Sequence, residues 1–388
     1  MSDTAEQLTT RKLALDEAHR RAGAVMVERE GHLLPASYGD AAAEYEAVRG
    51  GAGAGLIDLS ARGRVEVGGR DAVQFLNGLI TNDVKTLAPG AWMEAAFPNP
   101  QGRLLAFARV WRAAESSPFL FDTEPATRAV VFKNLERFSL AGDFQVADAT
   151  GRTAQLSVQG ARAASVVADA LGAGVSLPAR GRVAVSGRGG GIAVARATHT
   201  GEDGFDLVVG VEHAHELWDA LAAAGARPVG QDALEVLRVE AGAARHGADV
   251  DESNVVLEAG LDEAVSYTKG CYVGQEIIAR IHWRGHVAKK LAGLVPADAH
   301  DEGAGAALTP GAKIRTADAG REIGRVTSVV FSPRLRKQIA LGVVKYDFLA
   351  AGTEVSIEGA GGARRALVAE LPFVRGGWRE DAKAEAES

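Results

Sequence analysis

Apolar and polar positions change their spacing several times along this chain, and each change marks an element. Residues 10–30 read as a helical leader followed by a loop. Asp40–Arg49 reads as a short helix ahead of the glycine-rich run GGAGAG. Strict alternation then begins: Arg64–Val67 (RVEV) has the period of a strand. Asp71 is placed to cap a helix over Ala72–Ile80, whose Val73, Phe75, Leu76 and Leu79 make an apolar face. Trp92–Phe97 and Arg103–Trp111 read as strands joined by the turn Asn99-Pro100-Gln101-Gly102. Phe119–Asp122 is a further strand. Thr123 can cap a helix over Glu124–Ser139, where Pro125 is tolerated in the first turn, and Phe144–Ala147 returns to strand. The order β-α-β-β-(β)-α-β is a split βαβ arrangement of ferredoxin-like type.

The order recurs. Ala154–Val158 is strand-like and Ala161–Leu171 helix-like. Ile192–Ala197 and Phe205–Val209 are strands around the loop Thr198–Gly204, and Val211–Ala224 is a helix with Leu217, Trp218 and Leu221 on one side. Gln231–Glu240 is another helix, ending at Gly242, and Asp249–Ser266 is a polar connection. Pro310–Gly311, Gly320 and Gly342 then punctuate the short strands Ile323–Phe331, Gln338–Val344, Glu354–Ile357 and Ala366–Leu371. Without helical periodicity, these predict a separate small β-barrel. The expected fold is therefore α+β: two related units over about 55–150 and 151–245, and a C-terminal barrel. The expected domains are a leader with first helices (1–54), a central region (55–288), the barrel (289–376) and a charged, disordered tail (377–388).

Composition narrows the classes. The chain has 388 residues, enough for two or three domains. Its net charge of −7 argues against a broad nucleic-acid surface and leaves room only for a local basic patch. One cysteine can form neither an internal disulfide nor a Cys-rich zinc site, so a reducing cytoplasm is the simplest compartment. The N-terminus is polar, and no run of about 18 apolar residues predicts a membrane span.

Three constellations can hold chemistry. The segment Lys269-Gly270-Cys271-Tyr272-Val273-Gly274-Gln275-Glu276 leads into a helix through Ile277–Arg280 and contains the lone cysteine. A cysteine exposed at a helix start beside a lysine gains thiolate character and suits a nucleophile, a redox thiol or a cluster ligand. A small buried apolar residue is the equally weighted alternative. The loop Thr198-His199-Thr200-Gly201-Glu202-Asp203-Gly204 runs into Phe205-Asp206. A carboxylate at that strand mouth can take paired N–H bonds from a 2-amino-4-oxo heterocycle, although a solvated acidic hairpin has the same composition. Arg238 sits among apolar helix positions in Leu237–Gly242 and needs a carboxylate partner, either a ligand's or an internal one. His282 and His286 have a zinc-like spacing with no cysteine pair beside them, and Arg334–Lys337 is a small basic turn. No P-loop, dinucleotide fingerprint or nucleophile elbow occurs.

Taken in order, Gly55–Ser60 (GLIDLS), Phe75–Val84 (FLNGLITNDV), HTGEDGFD, LRVEAG and Glu322–Pro333 (EIGRVTSVVFSP) resemble the folate-binding T-protein of the glycine cleavage system, aminomethyltransferase, over roughly residues 35–375. KGCYVGQE is similar to the signature of the YgfZ branch. That branch comprises folate-binding proteins linked to iron–sulfur cluster assembly and repair and to tRNA modification. The resemblance implies two interleaved α+β units and a C-terminal barrel around a folate channel. It implies tetrahydrofolate or a derivative as cofactor, with no tightly bound metal, and iron–sulfur proteins or their assembly factors as partners. Direct nucleic-acid binding is not expected. Asp206 stands where the T-protein has a pterin-holding Glu, and His199 where it usually has Tyr. Arg238 matches an arginine near folate, and Glu202 lies in the same loop. Lys269, Gly270, Cys271, Tyr272, Gly274, Gln275, Glu276 and Arg280 fall in the YgfZ-like segment, with Cys271 as a reactive thiol activated by Lys269.

One departure divides the branches. The T-protein carries an Asp-Asp pair shortly after its first hairpin turn, and the corresponding run here, Gly102–Phe107, has no carboxylate. A missing general acid/base costs about 10²–10⁴ in rate. The leading expectation is thus a tetrahydrofolate-binding accessory protein for iron–sulfur maturation. The alternatives are a folate-dependent one-carbon transferase (an aminomethyltransferase or amine demethylase) and a folate-free scaffold.

Overall fold

The computed structural model describes residues 11–172, 175–186, 191–297, 308–318, 320–359 and 362–378. Alternation in the sequence converts directly into two-faced strands. In Thr153–Gln159, Ala154, Leu156 and Val158 enter a core with Leu207, Val209, Trp218 and Leu221. In Leu104–Arg112, Ala106, Ala108 and Val110 enter a second core with Leu76, Phe97 and Phe121. Fully burying each of the larger of these side chains contributes about 1.5–3 kcal/mol.

The first sheet has five strands in the order Ala91–Pro98, Leu104–Arg112, Phe119–Thr123, Gly63–Gly68, Gln145–Asp148. The second has six, in the order Val183–Ser186, Ile192–Arg196, Gly204–Gly210, Thr153–Gln159, Gly55–Asp58, Arg227–Pro228. The two sheets repeat one pattern with one exchange. Gln145–Asp148, which follows its unit, flanks Gly63–Gly68. The equivalent place beside Thr153–Gln159 is taken by Gly55–Asp58, from ahead of the first unit. The expected interleaving is therefore physical, and the expected boundary at 55 is corrected: Gly55–Asp58 belongs to the second sheet.

The barrel closes through Lys289–Pro296, Lys337–Lys345, Glu322–Ser332, Lys313–Thr316, Glu354–Gly359 and Gly362–Ala369, the last pairing with the first. Closure leaves no open edge. Two of its strands escape a pattern reading. Lys289–Pro296 is two lysines followed by an apolar run without alternation, and Lys313–Thr316 has only four residues.

The leader differs from expectation. Residues 11–37 hold one helix, Asp16–Arg21, and a three-stranded sheet of Arg11–Lys12, His32–Ser37 and Val25–Arg29. Gly23 at φ 82 follows the helix, and Val25-Met26-Val27 favours strand over helix. Glu30 and Gly31, both at positive φ, make the two-residue hairpin turn between Arg29 and His32. Two expected caps also act differently. Asp71 accepts from the Asp143 N–H at 2.9 Å rather than from its own helix. The Thr123 hydroxyl donates to the Phe107 carbonyl at 2.8 Å.

Beyond the barrel the chain returns to the central region. The Val374 N–H donates to the Glu240 carbonyl, the Gly377 N–H to Glu202 Oε2 at 2.8 Å, and the Trp378 N–H to the Gly201 carbonyl. Gly377 and Trp378 are thus docked, against the expected tail boundary at 377; residues 379–388 lie outside the described residues.

Candidate functional site

The faces of the two sheets that turn from their own cores turn toward each other. On Thr153–Gln159 that face is Gln155, Ser157 and Gln159, all fully buried. Asp206 lies directly across from Ser157 in register. On Leu104–Arg112 the facing residues are Phe107, Arg109 and Trp111, and Trp111 packs on Ala195 and Val208 of the other sheet. Polar side chains alternating with core residues along one strand thus form a polar layer between the sheets.

Asp206 is the centre of the layer. Its Oδ2 lies 2.8 Å from His199 Nε2 and accepts from Arg109 Nη1 at 3.1 Å. Arg109 Nη1 also approaches His199 Nε2 at 3.0 Å, and its Nη2 donates to the Thr198 carbonyl. Burial would raise the Asp206 carboxyl; His199, then Arg109 and Ser157, outweigh it and hold the group well below the carboxylate range. Among the described residues Asp206 Oδ1 is buried with no hydrogen-bond partner, and so is Gln155 Oε1. Gln159 Oε1 fixes the loop by accepting from the His199 N–H and the Thr200 hydroxyl, both at 3.1 Å.

The layer continues through ion pairs. Gln155 Nε2 donates to Asp122, and Arg62 bridges Asp122 and Glu124 at 2.6 Å each. Against its burial, Arg62 pulls the Glu124 carboxyl down. The tip residue Glu30 of the N-terminal hairpin faces Glu124, Arg245, Arg62 and Glu235, and burial raises its carboxyl. His246 lies with its ring 6.5 Å from Phe107; its Nε2 is buried without a hydrogen-bond partner among the described residues, and burial lowers its pKa. None of Arg109, Arg62, Glu124, Gln155, Ser157, Gln159 or His246 was expected in the site. Only the alternation Gln155-Leu156-Ser157-Val158-Gln159 could have signalled it.

Two expected ligand residues spend their polar atoms on the protein. Arg238 donates all five N–H groups: two to Glu235, two to Asp249 and Ala243, and one to Ser328. It ties helix Gln231–Glu240 to the barrel, the internal-carboxylate alternative for this arginine. Glu202 accepts from Arg49 at 2.6 Å and from the Gly377 N–H.

The KGCYVGQE segment is a strap over the first sheet's hairpin. Gly274 sits in the left-handed region at φ 78 at the start of helix Gln275–Arg284, and a Cβ there would press on the Asn99 carbonyl. Gly102, at φ 69, lies so close to Ile277 that an added Cβ would come within 3.2 Å of it. Tyr272 and Ile278 are buried with Leu104 and Val256. Gly270, Glu276 and Arg280 are exposed, and the Gln275 N–H donates to the Tyr272 carbonyl. Cys271 is a free, exposed thiol, which removes the buried-residue alternative. The expected activation by Lys269 is not what the geometry shows: Lys269 Nζ donates to the carbonyls of Ile80 and Asn82, at 2.8 and 2.6 Å. Burial pulls that amine down to about 8. Among the described residues no hydrogen bond or ion pair joins Lys269 or Cys271 to Asp206. His282 and His286 stack on Tyr267 and Tyr346. No group of three or more His, Cys, Asp or Glu side chains able to hold a metal occurs among the described residues, and no described helix is long and apolar enough to cross a membrane.

Residues 15–269 match the GCVT N-terminal domain, and residues 289–375 match the glycine cleavage T-protein C-terminal barrel domain. An aminomethyltransferase of Rubrobacter xylanophilus is 35% identical over 369 residues, covering 95% of each chain. One of Bordetella petrii is 34% identical over 375 residues, covering 95% of this chain and 97% of its own. The crystal structure of glycine cleavage system aminomethyltransferase T from Bartonella henselae superposes with a TM-score of 0.84 at 28% identity, over 94% of this chain and 98% of that one.

Proposed function

Because this chain belongs to the glycine cleavage T-protein family, with both its GCVT N-terminal domain and its C-terminal barrel domain, we propose that it binds a reduced folate in the inter-sheet layer and handles a one-carbon unit on it. The observation that supports this most is Asp206 Oδ1, a buried anionic oxygen with no hydrogen-bond partner among the described residues. Leaving such an atom unpaired costs about 1–3 kcal/mol, which a ligand with paired N–H donors recovers. A 2-amino-4-oxo heterocycle presents that pair. His199 and Arg109 hold Oδ2 and so aim Oδ1. Arg238 and Glu202 act as positioning residues, the first through the barrel and the second through the loop. Folate supplies the nitrogen that carries the one-carbon unit.

A titration with tetrahydrofolate tests this directly. Asp206→Ala is expected to weaken binding at least tenfold, and equal affinity of the two proteins would overturn the assignment. No binding at all by the wild type would leave a folate-free scaffold. Turnover is tested by formaldehyde transfer to tetrahydrofolate from an aminomethyl-lipoyl carrier protein or an N-methylated amine. The relatives' identity as aminomethyltransferases favours a positive result. The carboxylate-free run Gly102–Phe107 favours a slow one, on the order of 10²–10⁴ below a complete acid/base site.

A second reading is supported by the exposed thiol of Cys271: an accessory role in iron–sulfur cluster assembly or repair in a reducing cytoplasm, and through it in tRNA modification. A single thiol cannot hold a cluster, which takes about four ligands, so partner proteins would supply the others. Normal rescue of an iron–sulfur enzyme in cells by Cys271→Ala would remove this reading and leave folate binding untouched.

A further inference from the structure

The end of helix Gln275–Arg284 and the start of the barrel carry a cluster of aromatic rings and basic side chains. Five rings collect there. Tyr267 stacks on His282 with centroids 3.6 Å apart and planes 16° from parallel. Trp283 stands edge-on to both, 4.6 Å from His282 and 6.3 Å from Tyr267. One turn on, His286 stacks on Tyr346 at 3.9 Å and 14°. Trp283 is 69% exposed and Tyr346 45%. Flat rings already paired on one face and open on the other are stacking platforms, and they lose little side-chain freedom when a third ring is added.

Cations surround the rings. Arg280 and Arg284 are exposed, and neither forms an ion pair with a described carboxylate. Lys289 and Lys345 face each other in register across two barrel strands and line a cleft of about 270 Å³ with Glu322 and Gly324. Tyr346 follows Lys345 directly, and its N–H donates to the Ala288 carbonyl, so the cleft and the second ring pair are contiguous. Of the nearby acids, Asp262 is paired with Lys290 at 3.2 Å and Glu322 with Lys313 at 3.1 Å, and Lys345 Nζ donates to the Glu322 carbonyl.

We infer that this surface, from Tyr267 through His282-Trp283-Arg284 to Lys289 and Tyr346, binds single-stranded nucleic acid. Bases stack on the open rings, and phosphates lie against Arg280, Arg284, Lys289 and Lys345. A base has a flat π-face whatever its identity, so such a platform is sequence-tolerant. An acidic peptide would satisfy the cations but not the coplanar ring pairs; the stacking geometry decides for nucleic acid. The charge lies in one patch, consistent with the absence of a broad basic face in a chain of net charge −7.

The test is fluorescence anisotropy of a labelled twelve-nucleotide oligouridylate with the full chain at low and moderate salt. Binding is expected, with Trp283→Ala and Tyr346→Ala each weakening it about tenfold. Arg284→Ala is expected to reduce the slope of log affinity against log salt by about 0.7. Both rings are exposed, so melting temperature and tetrahydrofolate affinity should be unchanged, which separates this surface from the inter-sheet site. Oligothymidylate binding with the same dependence on Trp283 would also support the inference. No binding by the wild type, binding indifferent to both ring variants, or equal affinity for a polyglutamate peptide would overturn it.

Discussion

Among the described residues Asp206 is partnered on one oxygen only, and its ionisation follows from those partners. His199 and Arg109 depress its pKa, so the anion stabilises the fold above the unfolded value of about 3.9. That contribution is lost only as pH falls through the lower folded value. Tetrahydrofolate affinity should therefore show no loss from Asp206 protonation between pH 5 and 8, and calorimetric titration across that range checks it. Lys269 behaves oppositely. Its folded pKa of about 8 lies below the unfolded value of about 10.4, so between them the unfolded chain binds the extra proton and stability rises with pH. A rise on the order of 1–3 kcal/mol is expected in denaturant titrations from pH 8 to 10. It should vanish in Lys269→Met. Tyr272, pushed up to about 12, reverses the slope only above the ordinary tyrosine range. For Arg238, removal takes the guanidinium from Asp249, which is wholly buried and keeps only neutral donors, the hydroxyls of Thr327 and Ser328 and the Arg245 N–H. Arg238→Ala should cost about 3–5 kcal/mol in equilibrium unfolding.

At the scale of elements, the strap and the hairpin beneath it are locked by two glycines. Gly274→Ala places a methyl in a left-handed backbone and against the Asn99 carbonyl. A loss of about 1–3 kcal/mol is expected, read as a lower melting temperature and faster modification of Cys271. The strands and helices were largely legible because their periods are local: Gln231–Glu240 is found at the expected bounds, and Ala72–Leu79 within one residue. The site was legible only in part. HTGEDGFD pointed to Asp206 and His199 only through the family resemblance, because a solvated acidic hairpin has the same composition. Arg109 and His246 gave no signal, because an arginine in an alternating strand and a histidine in a loop acquire meaning only from what faces them. Lys269 misled for the same reason: adjacency to Cys271 in sequence did not become proximity of charge, since its ammonium turns back to the carbonyls of residues 80 and 82.

At the scale of the whole molecule, the interleaved strand Gly55–Asp58 and the returning segment 371–378 make the central region and the barrel one object. Deleting residues 372–388 removes the hydrogen bonds to Glu240, Gly201 and Glu202, and the Trp378 ring from 3.8 Å above the Arg180 guanidinium. The barrel strands, which end at Ala369, keep their pairing and lose Phe373 from the cluster of Leu291, Ile339, Leu341 and Val343. The truncated chain should still fold, melt lower and bind tetrahydrofolate several-fold more weakly, as calorimetry would show. A ribosome delivers residue 377 long after Glu202, 175 positions earlier, yet the later residue pins the loop that the earlier one belongs to. The fixing of this loop therefore comes after synthesis of the barrel strands, and it distinguishes a chain that carries residue 377 from one cut or released before it.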